Sequence, residues 1–233
     1  MSKNLVIATI GDNSLHKKWL EGIIKPNHDL YFIYYGNEIN KYSKDCEYYS
    51  ESKGYKYPLI YKFLTKEIID EYDYFFLPDD DISMNRCDIN LLFKQMEENK
   101  YYYIAQPSLE KECPHTWPHT TTRYNNISRF TTFVEIMCPI FRKKSLIEFL
   151  PYFTETHTGW GLDLLWSRKS LIQHERLGIF DNIVVSHTRK MGEGTLYSQL
   201  KKDGINYKQE YADFLKKYNL THTSQKDKKY YVW

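Results

Sequence analysis

Short apolar runs and amphipathic stretches alternate along the first hundred residues of the chain. Runs of consecutive apolar residues, typical of strands buried on both faces, occur at 5–10, 30–35, 74–77 and 102–105. The segments between them carry apolar residues at helical spacing. Because strand and helix alternate in this order, the pattern predicts an open α/β sheet of mainly parallel strands flanked by helices.

Three amphipathic helices are predicted between these strands. Asn13 or Ser14 caps the first, Pro58 lies in the first turn of the second, and Asp88 caps the third. Each helix has one apolar stripe that can pack against the sheet. The stripes consist of Leu15, Trp19, Leu20, Ile23 and Ile24 in the first helix, Leu59, Phe63, Ile68 and Tyr72 in the second, and Ile89, Leu92, Phe93 and Met96 in the third.

The second half of the chain is less regular. It contains neither an internal repeat nor a low-complexity tract, and one domain spanning 1–233 is expected. The predicted elements are a long loop at 111–129, strands at 133–141 and 183–186, helices at 143–150 and 207–218, and a solvated lysine-rich tail at 225–229.

Composition excludes several classes of protein. Lys and Arg total 32 against 30 for Asp and Glu, so the net charge of +2 provides no general field for binding nucleic acid. The first apolar run is too short for a signal peptide or a membrane span, which favours a cytoplasmic protein with no integral membrane segment. The cysteines, Cys46, Cys87, Cys113 and Cys138, form no CxxC pair and are expected to be reduced and structural.

Three consecutive aspartates, Asp79, Asp80 and Asp81, directly follow the predicted strand at 74–77. Open α/β sheets bind ligands at the carboxyl ends of their strands. Because side chains alternate along extended backbone, Asp79 and Asp81 would project to one side and Asp80 elsewhere. Two converging carboxylates favour a hard cation such as Mg²⁺ or Mn²⁺, which completes its shell with phosphate oxygens and water. The pattern indicates a metal and diphosphate site, with a solvated acidic turn as the alternative.

Three sequence elements resemble motifs of the nucleotide-sugar glycosyltransferase superfamily with the GT-A fold. Segment 72–82, YDYFFLPDDDI, resembles the DxD strand. Segment 158–163, TGWGLD, resembles the acceptor-side GWGxxD element, and segment 184–187, VVSH, resembles the late strand that ends in a metal-binding histidine. The stretches 101–110 and 133–141 are also similar to a group of uncharacterised glycosyltransferase-like proteins of plants and bacteria. The resemblance covers about 5–192 and implies a single GT-A-like (Rossmann-like) domain with an open, mixed, mainly parallel sheet.

The resemblance implies a role for each motif. Asp79 and Asp81 would hold Mn²⁺ or Mg²⁺, which stabilises the departing nucleoside diphosphate, and His187 would be the third protein ligand. Asp163 would be the general base that takes the proton of the acceptor hydroxyl. The alternatives are a structural His187 at a strand end and an Asp163 that caps a helix at 164–167.

Acceptor and donor contacts follow from the same resemblance. Trp160 and Gly161 would contact the acceptor, unless Trp160 packs in the core. Leu162 stands where inverting members often carry a second acid, so the stereochemical outcome stays open. Donor contacts are assigned to Thr9 and Asp12 after the first strand and to the stretch 53–56. Asp80 would contact the ribose or a basic side chain. Arg189 and Lys190 would form a phosphate clamp over which the loop 192–194 could close. Asp12 as a turn former and a solvated basic turn at 189–190 are the alternatives.

The implied function is a metal-dependent hexosyl or related transferase. It would move a sugar from a nucleotide-diphosphate donor, a UDP-sugar for preference, to a glycan, lipid-linked or other hydroxyl acceptor in polysaccharide or glycan biosynthesis. Residues 1–110 would form the donor half, 111–200 the acceptor and catalytic half, and 201–233 the C-terminal helix and tail. Two alternatives are a metal-dependent phosphohydrolase of haloacid-dehalogenase type, whose nucleophile normally follows the first strand, and a non-catalytic nucleotide or carbohydrate binder.

Overall fold

The computed structural model describes residues 2–114, 117–190 and 195–221. Nine strands in this part of the chain form one open sheet, with the order β3-β2-β1-β4-β8-β6-β9-β5 and β7 beside β9. The strands are β1 Asn4–Ile10, β2 Asp29–Tyr34, β3 Tyr48–Glu51, β4 Tyr74–Phe76, β5 Ile82–Ser83, β6 Tyr102–Leu109, β7 Arg129–Thr131, β8 Ile140–Arg142 and β9 Arg176–His187.

Most strands of the sheet run in the same direction. The four strands from β3 to β4 are parallel to one another, and β6 is parallel to β9. Strand β8 lies antiparallel between β4 and β6, and β5 and β7 pair antiparallel with β9. The prediction of an open, mixed, mainly parallel sheet in a single α/β domain is therefore confirmed.

The two faces of the sheet support two hydrophobic cores. Strand β1 is buried along its whole length, with Leu5 and Ile7 in one core and Val6 and Ala8 in the other. This alternation is why a strand covered on both sides reads as a continuous apolar run. The helices that supply the covering layers and connections are α1 His16–Trp19, α2 Lys56–Phe63, α3 Lys66–Glu71, α4 Arg86–Glu98, α5 Lys143–Phe149, α6 Leu162–Ile172, α7 Thr195–Lys202 and α8 Tyr207–Lys217, with 3₁₀ turns at Pro118–Thr120 and Leu150–Thr154.

The first predicted helix is wrong beyond one turn. Helix α1 ends at Trp19, and Ile23 and Ile24 of the predicted stripe are exposed. The guanidinium of Arg86 donates to the carbonyls of Leu20 and Gly22, which a longer helix would have used itself. Trp19 is buried as expected, and its indole N–H donates to the carbonyl of Ile82 at 2.8 Å.

Two further details of the first half differ from the prediction. Strand β3 was missed because its sequence is polar and only partly buried, so the three aspartates follow the fourth strand of the chain and not the third. Helix α4 is capped by Asn85, while Asp88 occupies the third helical position and accepts from the Asn85 N–H at 2.8 Å. Asp88 thus completes a capping box instead of providing the cap itself.

The strand predicted at 133–141 forms only at its end, in β8. The backbone N–H groups of Val134 and Glu135 donate to the side-chain oxygens of Ser167 and Gln106, at 3.2 and 2.6 Å. Pro139 has no N–H to give to a ladder. The segment therefore runs as irregular backbone along the edge of a cleft, although its apolar side chains are buried except for the partly buried Ile136.

No helix in the described ranges is long and apolar enough to cross a membrane. The cytoplasmic location stays a prediction of the sequence. None of the four cysteines is joined in a disulfide, and their reduced state stays a prediction.

Candidate functional site

A cleft of about 1180 Å³ opens at the carboxyl ends of the parallel strands. Its size is that of a pocket for a large ligand or for two ligands together. The topology explains its position, because the segments that follow β1, β2, β3, β4 and β9 all reach this edge of the sheet. The cleft is lined by each site residue proposed from the sequence, namely Thr9, Asp12, Asp79, Asp80, Asp81, Trp160, Gly161, Asp163, His187, Arg189 and Lys190.

Asp80 fastens three parts of the cleft to one another. One carboxylate oxygen accepts from the Gly11 N–H at 2.9 Å and from the Tyr35 hydroxyl at 2.8 Å. The other accepts from Arg189 at 3.0 Å. Two partners were predicted for Asp80, a donor ribose or a basic side chain. The structure shows the basic side chain, Arg189, and the contact with a ribose stays a prediction.

Asp79 and Asp81 lie on the cleft with one carboxylate oxygen each engaged. Asp79 Oδ1 accepts from Lys56 Nζ at 2.6 Å, and Asp81 Oδ2 lies 3.3 Å from His187 Nε2. Asp81 Oδ1 is buried and has no hydrogen-bond partner among the described residues. Burial raises the pKa of Asp79, as does the neighbouring charge of Asp81, while Lys56 opposes this rise. Each of the two carboxylates thus has one basic partner, Lys56 or His187, and one oxygen that makes no hydrogen bond to a described residue.

Strand pairing places His187 beside Asp81. In the antiparallel pair of β5 and β9, His187 stands opposite Ile82, the residue after Asp81. Its Nδ1 lies 3.0 Å from the carbonyl oxygen of Pro114, so Nδ1 carries a proton and Nε2 faces the carboxylate. Burial disfavours the charged ring, but the hydrogen bond and charge of Asp81 outweigh it and raise the pKa of His187 to about 9.

The predicted three-residue metal site is not assembled in the described ranges. No group of three or more His, Cys, Asp or Glu side chains there is placed to hold a metal ion. Asp79 Oδ2 makes no hydrogen bond to a described residue, and Asp81 Oδ1 has no hydrogen-bond partner among them. These two oxygens nevertheless fit a cation that takes most of its coordination shell from phosphate and water. The metal, and His187 as its third ligand, stay predictions.

Asp163 lies in the first turn of α6 and lines the cleft. The helix begins at Leu162 after Gly161, whose φ of 94° only glycine adopts readily, so Asp163 is not its cap. Asp163 Oδ1 accepts from the Leu164 N–H at 2.9 Å. Burial raises the pKa of Asp163 to about 7, although backbone N–H groups at the start of the helix lower it. A carboxyl group with that pKa can accept a proton near neutral pH.

Trp160 is held by the C-terminal helix. Its ring meets Tyr207 and Tyr211 of α8 edge to face, at 5.2 and 5.8 Å between ring centroids. A carbon added at Gly161 would lie 2.5 Å from the ring of Phe214, also on α8. Trp160 is therefore neither a core residue nor a free platform but a half-buried wall of the cleft.

Two of the remaining predicted donor residues, Asp12 and Arg189, are bonded to other parts of the protein. Asp12 accepts from the Tyr34 hydroxyl at 2.5 Å and from Lys41 at 2.7 Å, and Lys41 is the main cause of its lowered pKa. Thr9 is buried at the end of β1, and Arg189 also donates to the carbonyl of Asn13 at 2.7 Å. The loop 192–194 that would cover this clamp lies outside the described residues.

Two cleft residues were missed as functional candidates. Lys56 reaches Asp79 from the start of α2, and Glu135 is only 3% exposed on the cleft wall. Lys56 lies in the stretch 53–56, to which the sequence assigned a general donor role and no contact. A signal for Glu135 was available, because a single acid within an apolar run is seldom buried without a purpose.

The fold and the position of the cleft define the class of this protein as a mixed α/β domain similar to a glycosyltransferase fold. Among solved structures it resembles that of Staphylococcus aureus TarS, a glycosyltransferase, with a TM-score of 0.54 at 11% sequence identity. The similarity covers 80% of this chain and 37% of TarS, so this chain spans little more than a third of that protein's length. No family model matches the sequence, and comparison with curated proteins gives no match. At this identity the likeness shows the fold alone.

Proposed function

We propose that this protein is a metal-dependent glycosyltransferase that moves a sugar from a nucleoside-diphosphate donor to a hydroxyl acceptor. The observation that carries the proposal is the arrangement of carboxyl groups in one cleft. Asp79 and Asp81 lie after β4, and each has a carboxylate oxygen without a hydrogen-bond partner among the described residues. Asp163, whose pKa is about 7, lies on the same cleft. The TarS-like fold supports it.

Asp79 and Asp81 are the residues that would hold Mn²⁺ or Mg²⁺, with His187 beside them. When bound, the ion supplies positive charge that stabilises the leaving diphosphate. Lys56 and Arg189 add cationic groups at the same edge, where they attract the diphosphate and orient it. The donor half of this reaction thus corresponds to the segments that follow β1 to β4.

Asp163 is the proposed general base. Its carboxylate would take the proton of the acceptor hydroxyl as that oxygen forms a bond to the anomeric carbon and the bond to the diphosphate breaks. Trp160 provides an apolar wall against which the acceptor can pack. A UDP-sugar as donor and a glycan or lipid-linked acceptor, in polysaccharide or glycan synthesis, belong to the same proposal.

The phosphohydrolase alternative is less well supported. It requires an aspartate nucleophile after the first strand, and Asp12 in that position is hydrogen-bonded by Tyr34 and Lys41. The acidic triplet follows β4 instead. A non-catalytic binder would have the same site geometry. A measurement of turnover distinguishes such a binder from an enzyme.

Calorimetric titration of UDP with and without Mn²⁺ tests the donor site. We expect Mn²⁺ to strengthen UDP binding by about tenfold or more in the wild type and to have little effect in Asp81→Asn. Asp70→Asn, which changes an exposed carboxylate outside the cleft, is the matched control. An affinity that ignores Mn²⁺ in the wild type would disprove the metal-bridged donor.

A further inference from the structure

Glu135 is a buried carboxyl group on the wall of the cleft. It lies between β7 and β8, is 3% exposed, and is held in place by its backbone N–H, which donates to the fully buried Gln106 side chain at 2.6 Å. Its carboxyl group has one hydrogen-bond contact within the described residues, in which Oε2 is the acceptor and Thr120 Oγ1 the donor atom, 3.4 Å away. That distance is long for a bond between oxygens.

The contact with Thr120 does not supply a proton to Glu135. A threonine hydroxyl has one hydrogen, and Thr120 Oγ1 lies only 2.7 Å from the carbonyl of Trp117, an acceptor with no proton of its own. The hydrogen of Thr120 is thus directed at Trp117. Within the described ranges, Glu135 therefore receives no hydrogen bond of normal length from the protein.

Glu135 also has no cation beside it. Three other buried carboxylates of the described chain are paired with a cation, Asp80 with Arg189, Asp81 with His187 and Asp181 with Arg129, whereas Asp163, like Glu135, has no ion pair. No Lys, Arg or His of the described residues lies within 4 Å of Glu135. Burying a carboxyl group without a partner costs free energy, and groups retained at that cost are typical of binding and catalytic sites.

The surroundings of Glu135 place it near both ends of the proposed reaction. Burial raises the pKa of Glu135 to about 8, with a further rise from the charge of Asp163 and a smaller one from Asp79, opposed by His187. The backbone on either side of Glu135 is bonded to the elements that carry both sites, because the Val134 N–H donates to Ser167 of α6, the helix of Asp163. The carbonyl of Ile136 accepts from Lys56, which also binds Asp79. The group that passes between those two points during transfer is the sugar itself.

We propose that the carboxyl group of Glu135 hydrogen-bonds a hydroxyl of the transferred sugar and thereby selects the donor. The inference rests on the proposed function and adds the residue that determines which donor sugar is bound. A hydroxyl can both donate and accept, so it satisfies a buried carboxyl group that the protein leaves without a normal partner. A diphosphate is better matched by Lys56 and Arg189, whose charges are opposite to its own.

The test compares a nucleoside diphosphate with its sugar derivatives on wild type, Glu135→Gln and Glu135→Leu. UDP, GDP, CDP and ADP are titrated first, with and without MnCl₂, followed by hexose and N-acetylhexosamine conjugates of the nucleotide that binds. We expect the free diphosphate to bind all three proteins within about twofold. Relative to that reference, the preferred nucleotide-sugar should bind Glu135→Leu about tenfold more weakly, and Glu135→Gln, which keeps hydrogen-bonding atoms, about threefold.

Thermal unfolding of the same proteins supplies the control for folding. Because the substitutions remove an unpaired buried carboxyl group, neither variant should melt below the wild type at pH 8. If Glu135→Leu fails to fold, the threefold loss in Glu135→Gln decides the matter.

The outcomes separate this inference from the function on which it rests. Wild-type protein that binds no nucleoside diphosphate under any condition overturns both. Binding of the diphosphate with unchanged sugar affinity in the variants overturns the role of Glu135 alone, as does an equal loss for the free diphosphate and the sugar conjugate, which would mark Glu135 as structural.

Discussion

Lys56 Nζ lies 2.6 Å from Asp79 Oδ1, and the same ammonium donates to the carbonyl oxygens of Ile136 and Met137 at 2.9 and 3.2 Å. One side chain at the start of α2 therefore connects the end of β4 to the irregular segment before β8. All three ammonium protons have acceptors. Lys56 neutralises a carboxylate that would otherwise lie beside that of Asp81 without compensation.

Replacing Lys56 should make the protein depend on a bound cation for stability. In Lys56→Met the carboxylates of Asp79 and Asp81 repel each other without a nearby ammonium, and we expect a loss of about 1–3 kcal/mol in the free energy of unfolding. Mn²⁺ should restore more stability to this variant than to the wild type. Thermal unfolding with EDTA and with MnCl₂ measures both effects. Lys62→Met, on the exposed side of α2, is the control, and an equal response of the two variants to Mn²⁺ would contradict the role of Lys56.

Replacing Asp163 should remove turnover and leave donor binding intact. Asp163→Asn keeps the hydrogen bond from the Leu164 N–H but loses the proton acceptor. We expect the transfer rate to fall about 10²- to 10⁴-fold, with UDP affinity within about twofold of wild type. Rate measurements on an identified acceptor, together with calorimetry, check the two halves of the prediction. Full activity of Asp163→Asn would show that Asp163 is not the base.

Stability of the metal-free protein should fall as the pH rises from 5 to 9. The native pKa values of Asp163 and Glu135, about 7 and about 8, lie above their ordinary values of 3.8 and 4.5. A carboxyl group whose pKa is raised on folding contributes stability that is complete below its unfolded pKa and is lost as the pH passes its native pKa. His187, raised from 6.5 to about 9, acts in the same direction over 6.5 to 9.

Urea unfolding in EDTA at a series of pH values measures this dependence. We expect a decline on the order of several kcal/mol across the range for wild type, because at about 1.4 kcal/mol per pH unit the three shifts outweigh the opposite effect of His28, whose pKa is lowered to about 4 by burial. The double variant Asp163→Asn with Glu135→Gln should show a flatter profile, whereas Asp70→Asn should follow the wild type. A double variant as steep as the wild type would show that these two groups do not cause the decline.

Gly161 should be among the least replaceable glycines of the site. Its φ is 94°, and an added Cβ would lie 2.5 Å from Phe214 Cδ1 in the packed face of α8. We expect Gly161→Ala to lose about 2–4 kcal/mol, combining backbone strain with overpacking. Gly204→Ala is the matched control, because Gly204 has a φ of 70° and no atom within 4 Å of the added carbon. Chemical denaturation should show the control losing only about 1 kcal/mol, and equal losses would exclude the contact with α8 as a cause.

Patterns that depend on burial over several consecutive residues were readable from the sequence. The continuous apolar run of β1 and the acidic triplet after β4 identified the sheet and the edge that carries the cleft. The predicted helix continuing past Trp19 failed because Arg86, 60 and more residues away, takes the carbonyls that the helix needed. Strand β3 was missed because an edge strand with partly exposed side chains has no strong period.

The class of fold and the chemical types at the carboxyl edge of the sheet could be predicted from the sequence, since both follow from local spacing and from the order of the elements. The partner of each acid is known from the folded chain alone: Asp79 pairs with Lys56, Asp80 with Arg189, Asp81 with His187, and Glu135 with none of the described cations. Such pairings join residues far apart in the chain. Burial and charge at that distance fix the pKa of a carboxyl group, and neither can be read from its neighbours in sequence.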